Sequence, residues 1–296
     1  MTESTSTPLP ADPALAPTAR SSAPPWGAVA VLTIAVLGAY HEFITWMVGQ
    51  WWRDEYYGHG IFIPFLSGYL LYRLSKHLGS VGPGQAWGLL LVGLSLLGHM
   101  LALYLGVHFA SGFALVGTLV GLVIWLWGWQ TAWRLAFPLA FLLFMVPLSR
   151  LLVDRLAQPL QLFSARGAGA LTSALLGGVK VEGTMLITRD YTFEVAIPCS
   201  GLKSIIAMSA LGGLMAYVLE GPVWKRAVLF AMSVPVAVVA NLIRIFVTVV
   251  LGNSIGPAAA EGFFHQASGA AVFVIAFGGL MLLGEVLGCR QIREDI

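Results

Sequence analysis

In a chain this apolar, the isolated polar side chains are the ones to question first. Cys199, one of two cysteines, sits in Ile197-Pro198-Cys199-Ser200-Gly201, where a polar, strand-like stretch gives way to a long apolar run. Arg244 and His265 are likewise isolated, each where an apolar run approaches its end. A thiol attacks as its thiolate, and a helix N-terminus or a nearby cation favours that form. An imidazole within reach can take the thiol proton and later give one to a leaving amine. A guanidinium can donate to the oxyanion that develops on an attacked carbonyl. Thiol, imidazole and guanidinium are thus the parts of an acyl-transfer site. Asn241 lies one turn before Arg244 on the same helix face, where its amide can orient Arg244 or a substrate. Ser200-Gly201-Leu202-Lys203 also matches S-x-x-K, so a serine nucleophile with a lysine base stands as a rival; Lys203 can equally place positive charge near Cys199. Each residue has a plain structural reading as well. A lone Cys packs as a small apolar residue, an Arg near a helix end snorkels to headgroups, and a His at a helix start caps it. Cys289 is read as packing.

The elements that must position these side chains are membrane helices. The chain has 296 residues, 58% of them hydrophobic and only 10% charged, with a mean hydropathy of +0.83. Soluble domains are about 45–50% apolar and about 25% charged. The expected class is an all-α polytopic integral membrane protein. Basic residues are scattered and the net charge is +2, which gives no footprint for nucleic acid. The cysteines and histidines fit no metal-ligand spacing, so neither a metal nor another cofactor is expected.

A spanning helix needs about 20 mostly apolar residues. The sequence offers about eight such stretches: 26–46, 59–74, 86–105, 110–129, 133–151, 200–219, 226–250 and 266–288. Residues 1–25, rich in Pro, Ser, Thr and Ala, read as a disordered cytoplasmic tail, 26–288 as the transmembrane domain with its catalytic half at 152–270, and 289–296 as a second cytoplasmic tail. Trp and Tyr gather at the edges of the stretches, as in interfacial belts. Arg73 and Lys76, Arg134, Lys225 and Arg226, and Arg290 and Arg293 all fall on one side, the cytoplasmic side by the positive-inside rule; Arg53 and Arg150 fall on the other. The connection 152–198 is then outside. Its first part, 153–176, carries Asp154, Arg155 and Arg166 among apolar residues and reads as a small amphipathic helix in the interface. Its second part alternates polar and apolar residues at Lys180–Thr184 and Thr192–Ile197, around Thr188-Arg189-Asp190, and reads as a β-hairpin that delivers the chain to Cys199. Arg244 falls about five turns along the seventh span, near the outer leaflet. Cys199, Arg244 and His265 thereby come to a similar depth on three helices, and a charged residue inside a span is a functional candidate by default.

Pro198-Cys199-Ser200-Gly201, Asn241-Leu242-Ile243-Arg244 and His265 with Gly269 behind it resemble the exosortase/archaeosortase family. Tyr57-Gly58-His59-Gly60-Ile61-Phe62-Ile63-Pro64 and Phe144-Met145-Val146-Pro147-Leu148 are similar to it too, and the resemblance covers roughly residues 40–288. It implies a membrane cysteine transpeptidase with sortase-like chemistry, in which Cys199 is the nucleophile, Arg244 the transition-state stabiliser and His265 the acid/base. The implied partners are exported proteins with a C-terminal sorting signal of the PEP-CTERM type: a short motif, a transmembrane helix and a basic cluster. The implied place is the bacterial inner membrane. The competing readings are a Ser–Lys peptidase, a plain hydrolase, and a transporter or assembly subunit without chemistry.

Overall fold

The computed structural model describes residues 26–78, 82–188, 192–256 and 263–294, with 263–268 described by the backbone alone. The helices are α1 (Trp26–Ala39), α2 (His41–Arg53), α3 (Ile63–His77), α4 (Trp87–Tyr104), α5 (His108–Arg134), α6 (Ala136–Phe141), α7 (Arg150–Leu176), α8 (Leu202–Val218), α9 (Val223–Ile255) and α10 (Phe263–Val286). A small sheet, β1 (Lys180–Glu182), β2 (Met185–Ile187) and β3 (Thr192–Glu194), lies between α7 and α8. Short 3₁₀ turns at Gly58–Phe62, Leu142–Met145 and Ile197–Cys199 complete the described path. The protein is a mostly helical, polytopic membrane protein.

The expected eight spans are not all continuous: among the described residues, four helices are long and apolar enough to cross a bilayer, α4, α5, α8 with the turn before it (Ile197–Val218), and α9. Two more candidates are bent pairs, and the count reaches six when each pair is one span. The stretch 26–46 breaks at Tyr40, where α1 and α2 meet at 70°. The stretch 133–151 is no single helix. Arg134 ends α5, α6 is brief, and Val146-Pro147 forces extended backbone before α7 starts, at 87° to the segment before it. The stretch 59–74 begins as a 3₁₀ turn, and α3 falls outside the candidate spans.

A break inside a membrane exposes backbone groups that the protein itself must satisfy. At Tyr40 it does so. His99 of α4 meets the freed Ala39 carbonyl through Nε2 at 3.1 Å, its ring stacks on Tyr40 at 4.1 Å, and the Tyr40 hydroxyl pairs with Thr118 of α5 at 2.8 Å. α4 and α5 pack closely where Gly88 and Gly121 face each other. A Cβ on Gly88 would lie 2.6 Å from the Gly121 carbonyl.

The sheet also differs from expectation. Instead of one hairpin pairing 180–184 with 192–197, it is a three-stranded antiparallel meander in the order β1-β2-β3. The first turn comes early, at Gly183 with φ +61°. It opens a middle strand, Met185-Leu186-Ile187, that alternation did not reveal because all three residues are apolar. The register Leu186↔Phe193 puts both side chains into a core with Ala165 and Ala168 of α7, Ile245 and Val249 of α9, Val195 and Cys199. α7 lies across β1 and β2 and against α9, with Arg155 and Arg166 exposed. A second core joins α8, α9 and α10 through Met208, Leu229, Ala237 and Leu280. The last described residues pair with the α8–α9 connection. Arg293 N donates to Val218 O at 2.9 Å and Glu220 N to Gln291 O at 2.7 Å.

Candidate active site

Cys199 closes a 3₁₀ turn, Ile197–Cys199, that Pro198 starts with a fixed φ. Gly201 follows in the left-handed conformation, φ +93°, as the N-cap of α8. A side chain there would be strained, and its Cβ would lie 2.9 Å from the Asn241 amide nitrogen. The thiol therefore sits at the mouth of α8, whose first amides carry a partial positive charge.

Three carbonyls of this turn are held by side chains from three other elements. Tyr56, in the loop after α2, donates to Ile197 O at 3.1 Å. Asn241 of α9 donates through Nδ2 to Cys199 O at 3.0 Å and to Ser164 Oγ at 3.3 Å. Ser164 of α7 in turn donates to Ser200 O at 3.1 Å. Just upstream, Gln161 of α7 donates to Val195 O. The Cys199 turn is thus fixed by the chain before α3, by α7 and by α9. The sequence offered Arg244 or a substrate as the partner of the Asn241 amide; in the structure its Nδ2 holds the Cys199 carbonyl. Asn241→Ala would leave the buried Cys199 carbonyl and Ser164 hydroxyl short of a partner, a loss of about 1–3 kcal/mol. Asn241→Asp should cost at least as much, since a carboxylate cannot donate. Thermal unfolding of the purified proteins checks both, and an Asn241→Asp variant as stable as the parent would contradict the assigned bonds.

Cys199 is buried, at 4% exposure. Arg244 and Glu55 both lie within electrostatic range of it. The structure therefore brings together Cys199, Asn241 and Arg244. Ser200 is buried, and its hydroxyl accepts from Leu202 N at 3.4 Å. Lys203 is half exposed and turns to Glu55, Nζ to carboxylate 3.9 Å. His265 is placed in the first turn of α10 by its backbone; its side chain lies outside the described residues.

The loop Asp54–Tyr57 was missed by sequence reasoning, which took its tyrosines as interfacial. Tyr56 and Tyr57 are buried instead, against Val153, Ala157 and Leu202. Burial raises the pKa of Tyr56, with Ser200 a hydrogen-bonding neighbour that acts the other way, and pushes Tyr57 up to about 12. Tyr56 is therefore a neutral donor at physiological pH. His59 follows in a 3₁₀ turn; burial lowers its pKa, and Lys203 acts on it in the same sense. A second imidazole, neutral at pH 7, thus stands at this end of the molecule. The run of polar residues at 54–57 between apolar helices was the one signal for this loop, and it does not tell a surface loop from an anchor. Ser164 and Gln161 carried no signal within α7.

A family model described as transmembrane exosortase matches residues 51–282. No curated protein and no solved structure shows a significant match to the chain. The match takes in the loop after α2, the sheet, the Cys199 turn and Arg244, the elements that build this site, and the chain belongs to the transmembrane exosortase family.

Proposed function

We propose that the protein is a membrane-embedded cysteine transpeptidase that cleaves the C-terminal sorting signals of exported proteins. Exosortase membership suggests a membrane transpeptidase in protein sorting. The observation that carries the cysteine assignment is the Cys199 turn itself: its carbonyl is held by Asn241, and its sulfur lies within the field of Arg244, one turn further along the same helix. In the first step a base, assigned to His265, takes the thiol proton. The sulfur attacks the scissile carbonyl, and Arg244 donates to the oxyanion. The C–N bond breaks, the departing amine takes the proton, and a thioester remains on Cys199. In the second step an amine or water attacks the thioester carbonyl, and the thiolate leaves. The substrate class is a PEP-CTERM-type protein with a short motif, a transmembrane helix and a basic tail. A tagged protein of this kind, co-produced with the enzyme, should lose its helix and basic tail; a substrate that stays full length would contradict the reading. The Lys203–Glu55 pair and the occupied Ser200 hydroxyl speak against a Ser–Lys dyad.

The proposed setting is the bacterial inner membrane, with both termini cytoplasmic and the site on the outer face. Two long-range contacts support it. Arg134 donates to Leu78 O at 2.9 Å, joining two of the basic connections. Arg293 N bonds to Val218 O, joining the C-terminal segment to the connection that carries Lys225 and Arg226. The Cys199 turn instead meets the loop after α2, where Arg150 pairs with Asp54 at 3.6 Å. With an impermeant thiol reagent on intact spheroplasts, a cysteine at Thr188 should label and one at Ser75 should not. The reverse pattern would invert the topology.

A further inference from the structure

We propose that the substrate segment ahead of the scissile bond binds by adding a strand, parallel, to the free edge of β3. This deepens the transpeptidase reading and rests on it.

The backbone of β3 has two sides. Val195 N donates to Thr184 O at 2.9 Å, and the register sets Phe193 opposite Leu186. In an antiparallel ladder alternate residues pair with the same neighbour. Phe193 and Val195 therefore face β2, while the N–H and C=O groups of Thr192 and Glu194 point the other way. Among the described residues those outward groups have no hydrogen-bond partner. α7 lies across β1 and β2, and the side chains of Thr192 and Glu194 are exposed. An open edge of this kind is a template for another extended chain.

What lies downstream of the edge names the occupant. β3 runs directly into the Cys199 turn. That path is held at Val195 O by Gln161 and at Ile197 O by Tyr56. Phe193 and Val195 share a core with Cys199, so the strand and the nucleophile are parts of one packed unit. From Glu194 to Cys199 the chain makes two extended steps and a 3₁₀ turn. That path is at most about 13 Å, the length of about four extended residues. A peptide paired with Glu194 thus has its scissile carbonyl at Cys199 about four residues further on. Direction follows from the substrate's own order. Its exported part comes first and its helix last, so it runs from the outside toward the membrane, as β3 does on its way to α8. Parallel pairing satisfies both Glu194 groups with the residues on either side of one substrate residue. Main-chain pairing would supply affinity that tolerates varied side chains, and only the residues entering the Cys199–Arg244 site would need to be specific.

Disulfide trapping tests this in the full-length membrane protein. In a Cys199→Ala background, Glu194→Cys or Thr192→Cys is combined with a tagged PEP-CTERM-type substrate carrying single cysteines at successive positions ahead of its helix. Neighbouring parallel strands bring Cα atoms within disulfide range. Glu194→Cys should cross-link best at one position within about four residues of the cleavage site, and Thr192→Cys best at the position two residues earlier, with the intervening position weak. Uniform cross-linking, the reverse order, or Glu194→Cys homodimers in place of substrate adducts would overturn the proposal. As a second measurement, Glu194→Pro removes the outward N–H. It should slow processing at least about tenfold while Cys199 alkylation by iodoacetamide keeps the parent rate. Processing at the parent rate would overturn the proposal. If the Pro variant also alters alkylation, the cross-linking order decides. The two readings fail separately. Processing that survives Cys199→Ala refutes the cysteine mechanism. Processing that needs Cys199, without the alternating cross-links, refutes only the added strand.

Discussion

Replacing Cys199 by Ala is expected to abolish processing of a tagged substrate while the protein still accumulates in the membrane. In the proposed mechanism the thiol makes the covalent bond, and no other described side chain at the turn can replace it. Ser200 is adjacent, but its hydroxyl is buried and accepts from Leu202 N, and the nearest candidate base, Lys203, is turned to Glu55. Ser200→Ala should therefore cleave at a normal or reduced rate. Cys199→Ser should be strongly impaired, because a hydroxyl is far harder to ionise than a thiol at neutral pH. A gel-shift of the substrate in cells carrying each variant reads all three. Full processing by Cys199→Ala, with loss in Ser200→Ala, would reverse the assignment to serine chemistry.

Arg244→Lys is expected to be nearly as damaging as Arg244→Ala, with processing slowed about 10²–10³-fold in both. An ammonium keeps the charge but not the planar fork that donates two parallel hydrogen bonds. Arg244 lies one helical turn after Asn241 and one before Thr248, and Thr248 donates to the Arg244 carbonyl at 2.9 Å. Its Cα is thus fixed to the helix that also holds the nucleophile turn, so a shorter or differently shaped head group cannot be re-aimed by shifting the backbone. Initial processing rates at matched protein levels measure the effect. A lysine variant with most of its activity would mean that only bulk charge matters there.

The candidate site was more legible than the fold. Cys199 and Arg244 stood out because an apolar chain gives polar groups few neutral places, and in the structure the two lie within electrostatic range of each other. Asn241 stood out for the same reason, but its bond to the Cys199 carbonyl was not legible. Spacing shows that two residues share a helix face, not which carbonyl from another element arrives there. The breaks within the spans were hidden for a related reason. Hydropathy sums apolar residues and is blind to backbone breaks, so it ran through Tyr40, where His99 and Thr118 from distant helices make the break tolerable. It also ran through Val146-Pro147, where the chain turns into α7. β2 escaped because its Met-Leu-Ile lacks alternation, and Tyr56 was hidden among interfacial aromatics although it is a buried anchor of the nucleophile turn.

The most direct test of the cysteine acyl-enzyme is interception with hydroxylamine. Membranes containing the enzyme and a tagged PEP-CTERM-type substrate are incubated with and without hydroxylamine, and the new C-terminus of the cleaved product is identified by mass spectrometry. A thioester on Cys199 predicts a C-terminal hydroxamate, formed in the parent enzyme and absent in Cys199→Ala. Cleavage that yields only a free carboxylate in the presence of hydroxylamine, or a hydroxamate that persists in Cys199→Ala, would contradict the mechanism.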